Sequence, residues 1–421
     1  MIQVNDDLPN PDPYYIRNVT EFSDVRKVVC SEDIYSSTGI KLVAQGTPIN
    51  RNFYDKLMRH KLAAAPIDKN LSVEGALTAR DLWLDTEQLF DSDDRLMQRI
   101  RSGLGDLTVI QQRLSGIVLN SALAFKLTLA REKWPVIYQH SLRVAAASLY
   151  LASQIRLSAD NQHKLASAAI FHDLGEMHIN PEVLDKQFYA HPVISYLLLR
   201  EYPEYHPDIS EIVLDHHERL DGSGYPRHLT AHDIHPLAQI LAVAEVTGSL
   251  CTGSHDQSSE RLNMAFKFNP GQFRNDLAQY LLAPRTPNAT QQFAEDIKDL
   301  DALRASLDDI AGLLAAWDAM VGPHLRQHAP RPMRYVADRL DILKKNLFDA
   351  GFDPTSPHRM THDIETDRDC LLELNLLIRE ARWQVRNILG ETLRQWPEID
   401  QPAQPALQTL HDWIEHARER F

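Results

Sequence analysis

The sequence predicts a mainly α-helical protein, with a small α+β module at its N-terminus and a helical bundle at its C-terminus. Two observations carry that reading. Apolar residues recur at spacings of three and four from about residue 75 onward. Runs with β character are short and fall between Arg26 and Val43, with no strand pattern of comparable length after them.

At 421 residues the chain exceeds one ordinary core, so two or three domains are expected. The segments read as an α+β module over 1–70, a helical connector over 71–130, a histidine-rich helical domain over 131–285 and a separate helical domain over 286–421.

Residues 1 to about 25, rich in Pro, Asp and Asn, read as a loose lead-in. Val28-Val29-Cys30, Asp33-Ile34-Tyr35 and Ile40-Lys41-Leu42-Val43 are β-type runs around the Ser37-Thr38-Gly39 turn. Asn50 is placed to cap a helix through Phe53, Leu57 and Met58, and the module ends near Ile67. Leu82, Leu89, Leu96 and Ile100, then Ile110, Leu114, Ile117 and Leu123, repeat at helical spacing and predict connecting helices.

In the histidine-rich region helices are predicted over 140–155, 164–171, 192–200, 209–214 and 236–250. Farther on, the stripe Phe293, Ile297, Leu300, Leu303, Leu307, Ile310, Leu314, Trp317 and Val321 forms a seam for helix packing. Pro323, Pro330 and Pro332 break it. Helices over about 334–348 and 367–396, a linker over 397–405 and a last short helix complete the expected bundle, whose seam also suits a homodimer.

Composition narrows the function. Hydrophobic residues make up 43% and charged residues 24%, the profile of a soluble globular protein. The formal net charge is −14 without a dense basic run, which argues against duplex nucleic acid as a partner. Cys30, Cys251 and Cys370 form no CxxC spacing, which argues against a disulfide scaffold or a cysteine zinc site and suits a reducing compartment. The acidic start lacks an apolar signal segment, and no run approaches the length of a membrane span. The expected location is the cytoplasm.

Chemistry concentrates in the third segment. In order along the chain stand His140, His172-Asp173, His191, His216-His217 and Glu245, each at or near a predicted helix end where side chains can converge. Neutral imidazoles with carboxylates suit Fe, Mn, Zn or Ni. Seven donors exceed the needs of one tetrahedral ion, so two metals are expected, with Asp173 able to bridge them. Such a pair activates a water and clamps phosphoryl oxygens, an arrangement for phosphodiester hydrolysis. His163, His178, His206, His228, His232 and His235 fit no ligand position and read as surface or supporting residues. His358 and His362 stand four apart beside Pro357 and read as a solvated turn.

The ordered set resembles the HD-GYP family of the HD phosphohydrolase superfamily. The matching residues are His140 with Arg143-Val144, His172-Asp173-Leu174-Gly175, His191-Pro192 and the run His216-His217-Glu218-Arg219, with Asp221-Gly222-Ser223-Gly224-Tyr225-Pro226 closing it. Ile240-Leu241-Ala242-Val243-Ala244 resembles the helix that supplies the last ligand. The resemblance covers roughly residues 130–285. It implies an all-helical HD-type fold, a centre of two or three metals, usually iron or manganese, and hydrolysis of cyclic di-GMP to pGpG or GMP. His140, His172 and Asp173 would hold one ion, and Asp173, His191, His216 and His217 the other. Asp173 and His172 would be the catalytic pair. Gly224, Tyr225 and Pro226 would flank the substrate and contact diguanylate cyclases, with Asp221 nearby.

Departures from the family pattern carry information too. Glu176 stands where the family usually has a phosphate-contacting lysine, a reversal of charge in the substrate-binding shell. Glu245 replaces an aspartate, Gln239 replaces an arginine, and an expected Arg-Pro-Tyr-Lys element is missing from 250–259. Val136 stands where some three-metal members place a glutamate, so two ions are expected. The alternative is a degenerate member that binds metal or nucleotide and signals through protein partners.

Overall fold

A computed structural model describes residues 12–63, 67–180, 188–251, 257–282, 300–321, 329–356, 368–400 and 404–420. The start of the lead-in, Phe293, Ile297, Pro323, His358 and His362 lie outside them. The described residues are mainly helical, as expected. The chain divides into two compact units, Met1–Ser254 with Gln272–Leu281, and His255–Gly271 with Leu282–Phe421.

The first unit opens with helix α1 (Pro13–Phe22), in a stretch the composition reads as loose. Its cause is local. The Asp12 carboxylate accepts the Tyr15 N–H at 2.9 Å, and Pro13 takes the first helical position, where no N–H is needed. Tyr15, Ile16, Val19 and Phe22 then bury one face. Strand β1 (Val28–Cys30), β2 (Ile34–Tyr35), β3 (Lys41–Val43) and helix α2 (Asn52–Met58) follow. A fourth strand, β4 (Leu71–Val73), lies past the expected end of the module and pairs antiparallel with β1, Val28 opposite Val73. Three residues are too few for alternation to distinguish a strand. Strands β2 and β3 pair as a separate antiparallel ribbon.

Helices α3 (Ala79–Phe90), α4 (Arg95–Leu104), α5 (Thr108–Ser115) and α6 (Ser121–Lys133) follow. Leu82, Leu96, Ile100, Ile110, Leu114 and Leu123 are all buried, as their spacing predicts. Helix α6 is buried on every face from Ala122 to Ala130, packing against β4, α1 and α7 (Pro135–Gln154). The α+β module and the histidine-rich helices therefore share one unit.

Helices α8 (Ala159–Phe171) and α11 (Pro236–Leu250) pack on α7, α10 (Pro207–Leu214) packs on α8, and α9 (His191–Arg200) packs on α10. Val144, Ala145, Ala146, Ala147 and Ser148 of α7 are fully buried, and such small side chains let α8 and α11 approach closely. That approach brings the ends of several helices toward His140.

Helix α12 (Gln257–Phe268) belongs to the second unit, although its position in the chain falls within the expected 131–285 segment. Between it and the rest of that unit, α13 (Asn275–Leu281) returns to the first. Met264 and Phe268 of α12 enter a core with residues of α14 (Leu300–Met320), α15 (Arg331–Asp349), α16 (Arg368–Gln395) and α17 (Pro405–Arg418). Trp317 meets Trp413 edge-on at 4.8 Å between ring centroids. Leu303, Leu307, Ile310, Leu314, Trp317 and Val321 are buried inside this core. From Leu303 to Val321, the described part of the stripe that suited a homodimer is covered by the chain itself.

Candidate metal centre

Three helix ends and two helix interiors deliver the predicted donors. His140 projects from α7 and Glu245 from α11. Helix α8 runs straight into His172 and Asp173, and a 3₁₀ turn, Leu174–His178, carries Glu176. His191 opens α9, and His216 and His217 follow the end of α10.

Gly175 explains how the turn and α9 come so close. A Cβ on it would overlap the His191 carbonyl and lie 2.9 Å from the Ser195 nitrogen. Its own N–H donates to Ser195 Oγ at 2.8 Å. Gly224 has the same role on the other side, where a Cβ would overlap the backbone of His217, Glu218 and Arg219.

The donors form two clusters that meet at Asp173. His140, His172, Asp173 and Glu245 make one, His191, His216 and His217 the other, with ligand atoms within 4.8 Å of one another in each. In the first, Glu245 Oε2 lies 2.7 Å from His140 Nε2 and 3.0 Å from His172 Nε2. Asp173 Oδ2 lies 3.1 Å from His172 Nε2 and 3.6 Å from His140 Nε2. In the second, His191 Nε2 is 3.3 Å from His216 Nε2 and 3.0 Å from His217 Nε2. Asp173 Oδ1 faces that cluster, 3.5 Å from His191 Nε2 and 3.7 Å from His216 Nε2.

Tautomers follow from the outer partners. His172 Nδ1 lies 2.8 Å from the Ala169 carbonyl and His216 Nδ1 lies 2.5 Å from the Val213 carbonyl. A carbonyl only accepts, so both Nδ1 atoms carry the proton and both Nε2 lone pairs point inward when the rings are neutral. Burial, with His172 and His191 beside it, pushes His216 down to about 3. Burial and the neighbouring His216 and His191 push His217 well below the usual range. Burial alone would also lower His172, but the carboxylates of Asp173 and Glu245 outweigh it and raise the group. The same contest raises His140, with Glu245 the main carboxylate. Burial opposes the charge of Glu245 and Asp173, yet the facing imidazoles hold both below the carboxylate range.

Glu176 comes to the same place. Its carboxylate groups with Asp173 and His191, the three ligand atoms within 4.8 Å of one another. Burial, then the charges of Asp173 and Glu245, drive it well above the usual range. Gln239 is turned away from this chemistry: its amide donates to the carbonyls of Ala231 at 2.9 Å and Ile234 at 3.3 Å.

The Gly224-Tyr225-Pro226 loop backs the second cluster. The Tyr225 ring stacks on His217 at 4.6 Å, and Tyr189 meets its edge at 4.7 Å. Gly224 and Pro226 are buried beside it. Asp221 closes the turn by accepting the Ser223 N–H at 2.8 Å. Val136 is exposed on the first turn of α7.

Sequence reasoning passed over Ser195, Tyr189 and the position of Arg219. The Arg219 guanidinium sits 4.8 Å above the Phe273 ring and donates to the Glu218 carbonyl at 2.9 Å. A small polar residue four places after a histidine, and a tyrosine two places before it, carry no signal by themselves.

The donor set fits divalent cations. Asp173 Oδ1 is buried and accepts no hydrogen bond, while the ring nitrogens of His191 and His216 face it and His217 faces His191. Carboxylate and imidazole donors crowded together in a dry site are stabilised by a positive charge between them.

The same part of the chain is similar to known proteins. The family pattern described as an HD domain matches residues 127–268. The 3'3'-cGAMP-specific phosphodiesterase 1 of Vibrio cholerae is 26% identical over 208 residues, 45% of this chain and 48% of that protein. A cyclic di-GMP phosphodiesterase response regulator of Xanthomonas campestris is 34% identical over 119 residues, 26% of this chain and 32% of that protein. The chain thus spans about half the length, or less, of the curated relatives it matches. A solved HDG"Y"P protein from Bdellovibrio bacteriovorus aligns with a TM-score of 0.32 and 17% identity, over 48% of this chain and 68% of that one. Residues 127–268 thus carry an HD domain, and the ordered set of histidines with its Gly-Tyr-Pro loop lies inside it.

Proposed function

We propose that the protein is a metal-dependent phosphodiesterase of cyclic dinucleotides, with cyclic di-GMP as substrate and pGpG, then GMP, as products. The observation that carries the reading is Asp173, which turns Oδ2 to one cluster and the buried, unbonded Oδ1 to the other. His140, His172, Asp173 and Glu245 would hold one divalent ion, and Asp173, His191, His216 and His217 a second. The imidazole and carboxylate donors suit Fe or Mn. When bound, such a pair supplies an activated water and neutralises phosphoryl oxygens.

The chain's own part is positioning. The Ala169 and Val213 carbonyls fix the rings of His172 and His216, and Tyr225 holds the face of His217. Asp173 and His172 stand at the junction of the clusters, where the scissile phosphate would lie. The names of the Vibrio and Xanthomonas relatives both point to cyclic dinucleotides, which supports the substrate class.

The test is to purify the protein anaerobically, count its metals, and follow pGpG and GMP by chromatography from cyclic di-GMP, with 3'3'-cGAMP alongside. Turnover of cyclic di-GMP that is lost in a His172→Ala, Asp173→Ala variant is expected. Two bound ions without turnover in either the Fe or the Mn form would overturn the reading.

A second reading, a member that binds metal or nucleotide and signals through partners such as a diguanylate cyclase, is favoured by Glu176 and Gln239. An acid faces the site where an incoming phosphate needs positive charge, and the Gln239 amide is occupied by loop carbonyls. Nucleotide binding without hydrolysis in the same assay selects it.

A further inference from the structure

We infer that Glu176 is itself a metal ligand, binding through its carboxylate the ion that Asp173 and His191 share. The inference rests on the metal reading above and adds to it a donor from the turn itself. Three features of the turn carry it.

The ligand atoms of Asp173, Glu176 and His191 lie within 4.8 Å of one another, the spread of donors around one ion. The 3₁₀ turn over Leu174–His178 closes with the Glu176 N–H on the Asp173 carbonyl at 3.0 Å. This places the two side chains on one side of the turn, as residues three apart in a 3₁₀ helix eclipse. Among the described residues no hydrogen bond or ion pair reaches the Glu176 carboxylate, which is half-buried beside Asp173 and His191. Two carboxylates held this close repel each other, and a cation between them relieves that repulsion.

Charge leads to the same assignment. With Glu176 the site holds three carboxylates, Asp173, Glu176 and Glu245, against imidazoles that are neutral as ligands. Two divalent ions exceed three negative charges by one. That excess matches a single anionic oxygen or one phosphodiester group.

The test uses the full chain stripped of metal and reloaded with Mn²⁺. Bound ions are counted by mass spectrometry and dissociation constants are measured by calorimetry for wild type, Glu176→Gln and Glu176→Asp, with His216→Ala as the control for the second cluster. Thermal midpoints of the metal-free forms check folding. Glu176→Gln is expected to keep one tight ion and to bind the other at least about tenfold more weakly, with Glu176→Asp between it and wild type. Unchanged ion number and affinity in Glu176→Gln, while His216→Ala loses an ion, overturns the role of Glu176 alone. Unchanged binding in both variants overturns the metal reading as well.

Discussion

Asp12 Oδ2 lies 2.6 Å from His178 Nδ1, tying the cap of the first helix to the turn that follows the His172-Asp173 pair. The imidazole donates there through Nδ1, and Nε2 faces the Lys126 ammonium at 3.0 Å. Lys126 pairs with Asp68 at 2.7 Å, both fully buried, under the Tyr15 ring. Burial and the neighbouring Lys126 lower His178, so it serves as a neutral link between two charges. Asp68→Ala would leave the Lys126 charge in the core without its main partner, a loss of about 3–5 kcal/mol in urea unfolding. An Asp68→Leu, Lys126→Met double variant should be markedly more stable than Asp68→Ala. Equal instability of the two would mean that the pair is not the source of the effect.

Gly175 gives a sharper test of how the site is built. A methyl group there meets the His191 carbonyl and Ser195 backbone, neither of which is a flexible side-chain end. Gly175→Ala is expected to cost roughly 1–3 kcal/mol and to push α9 outward with its first residue, His191. Metal titration should then show weaker binding at the His216–His217 cluster and little change at the His140–Glu245 cluster. Equal weakening of both would refute the local account.

The seven residues of the two clusters were legible as a group because their chemistry is unusual. Paired histidines with carboxylates at helix ends have few structural uses, and all seven converge. Helix periods were legible too, since Leu82, Ile100 and Leu114 bury as their spacing requires. What escaped depends on contacts distant in sequence. His178 read only as a surface or supporting residue, because nothing nearby in the chain announces Asp12, 166 positions away. Glu176 looked like a repulsive charge facing a phosphate, and only the packing of α9 shows a histidine within reach of it. Strand β4 and the membership of α12 in the second unit are pairings of the same kind.

In the second unit Trp317 is the largest fully buried side chain, set edge-on against Trp413. Trp317→Ala should cost about 3–5 kcal/mol, through lost burial and the cavity left behind. Because the two units have separate cores, the Mn²⁺ affinity of the folded variant should stay unchanged. A large fall in affinity would contradict the assignment of every donor to the first unit.

The two clusters should also release metal at different pH. A proton competes with the ion for each ligand, so affinity falls as pH drops through the ligands' metal-free titration range. In the His140–His172 cluster Glu245 and Asp173 raise both imidazoles, so metal must displace protons even near neutrality. In the other cluster burial and mutual repulsion keep His217 well below the usual range and His216 down near about 3, so those nitrogens are already free. On lowering the pH from about 7.5 to about 5, the ion between His140, His172 and Glu245 should leave first, while the His191–His216–His217 ion stays. Counting bound Mn²⁺ by equilibrium dialysis across that range should give a plateau near one ion per chain. His140→Ala should remove the acid-labile ion and leave the plateau. Loss of both ions in a single step would show that bridging through Asp173 couples the clusters more strongly than their separate titrations divide them.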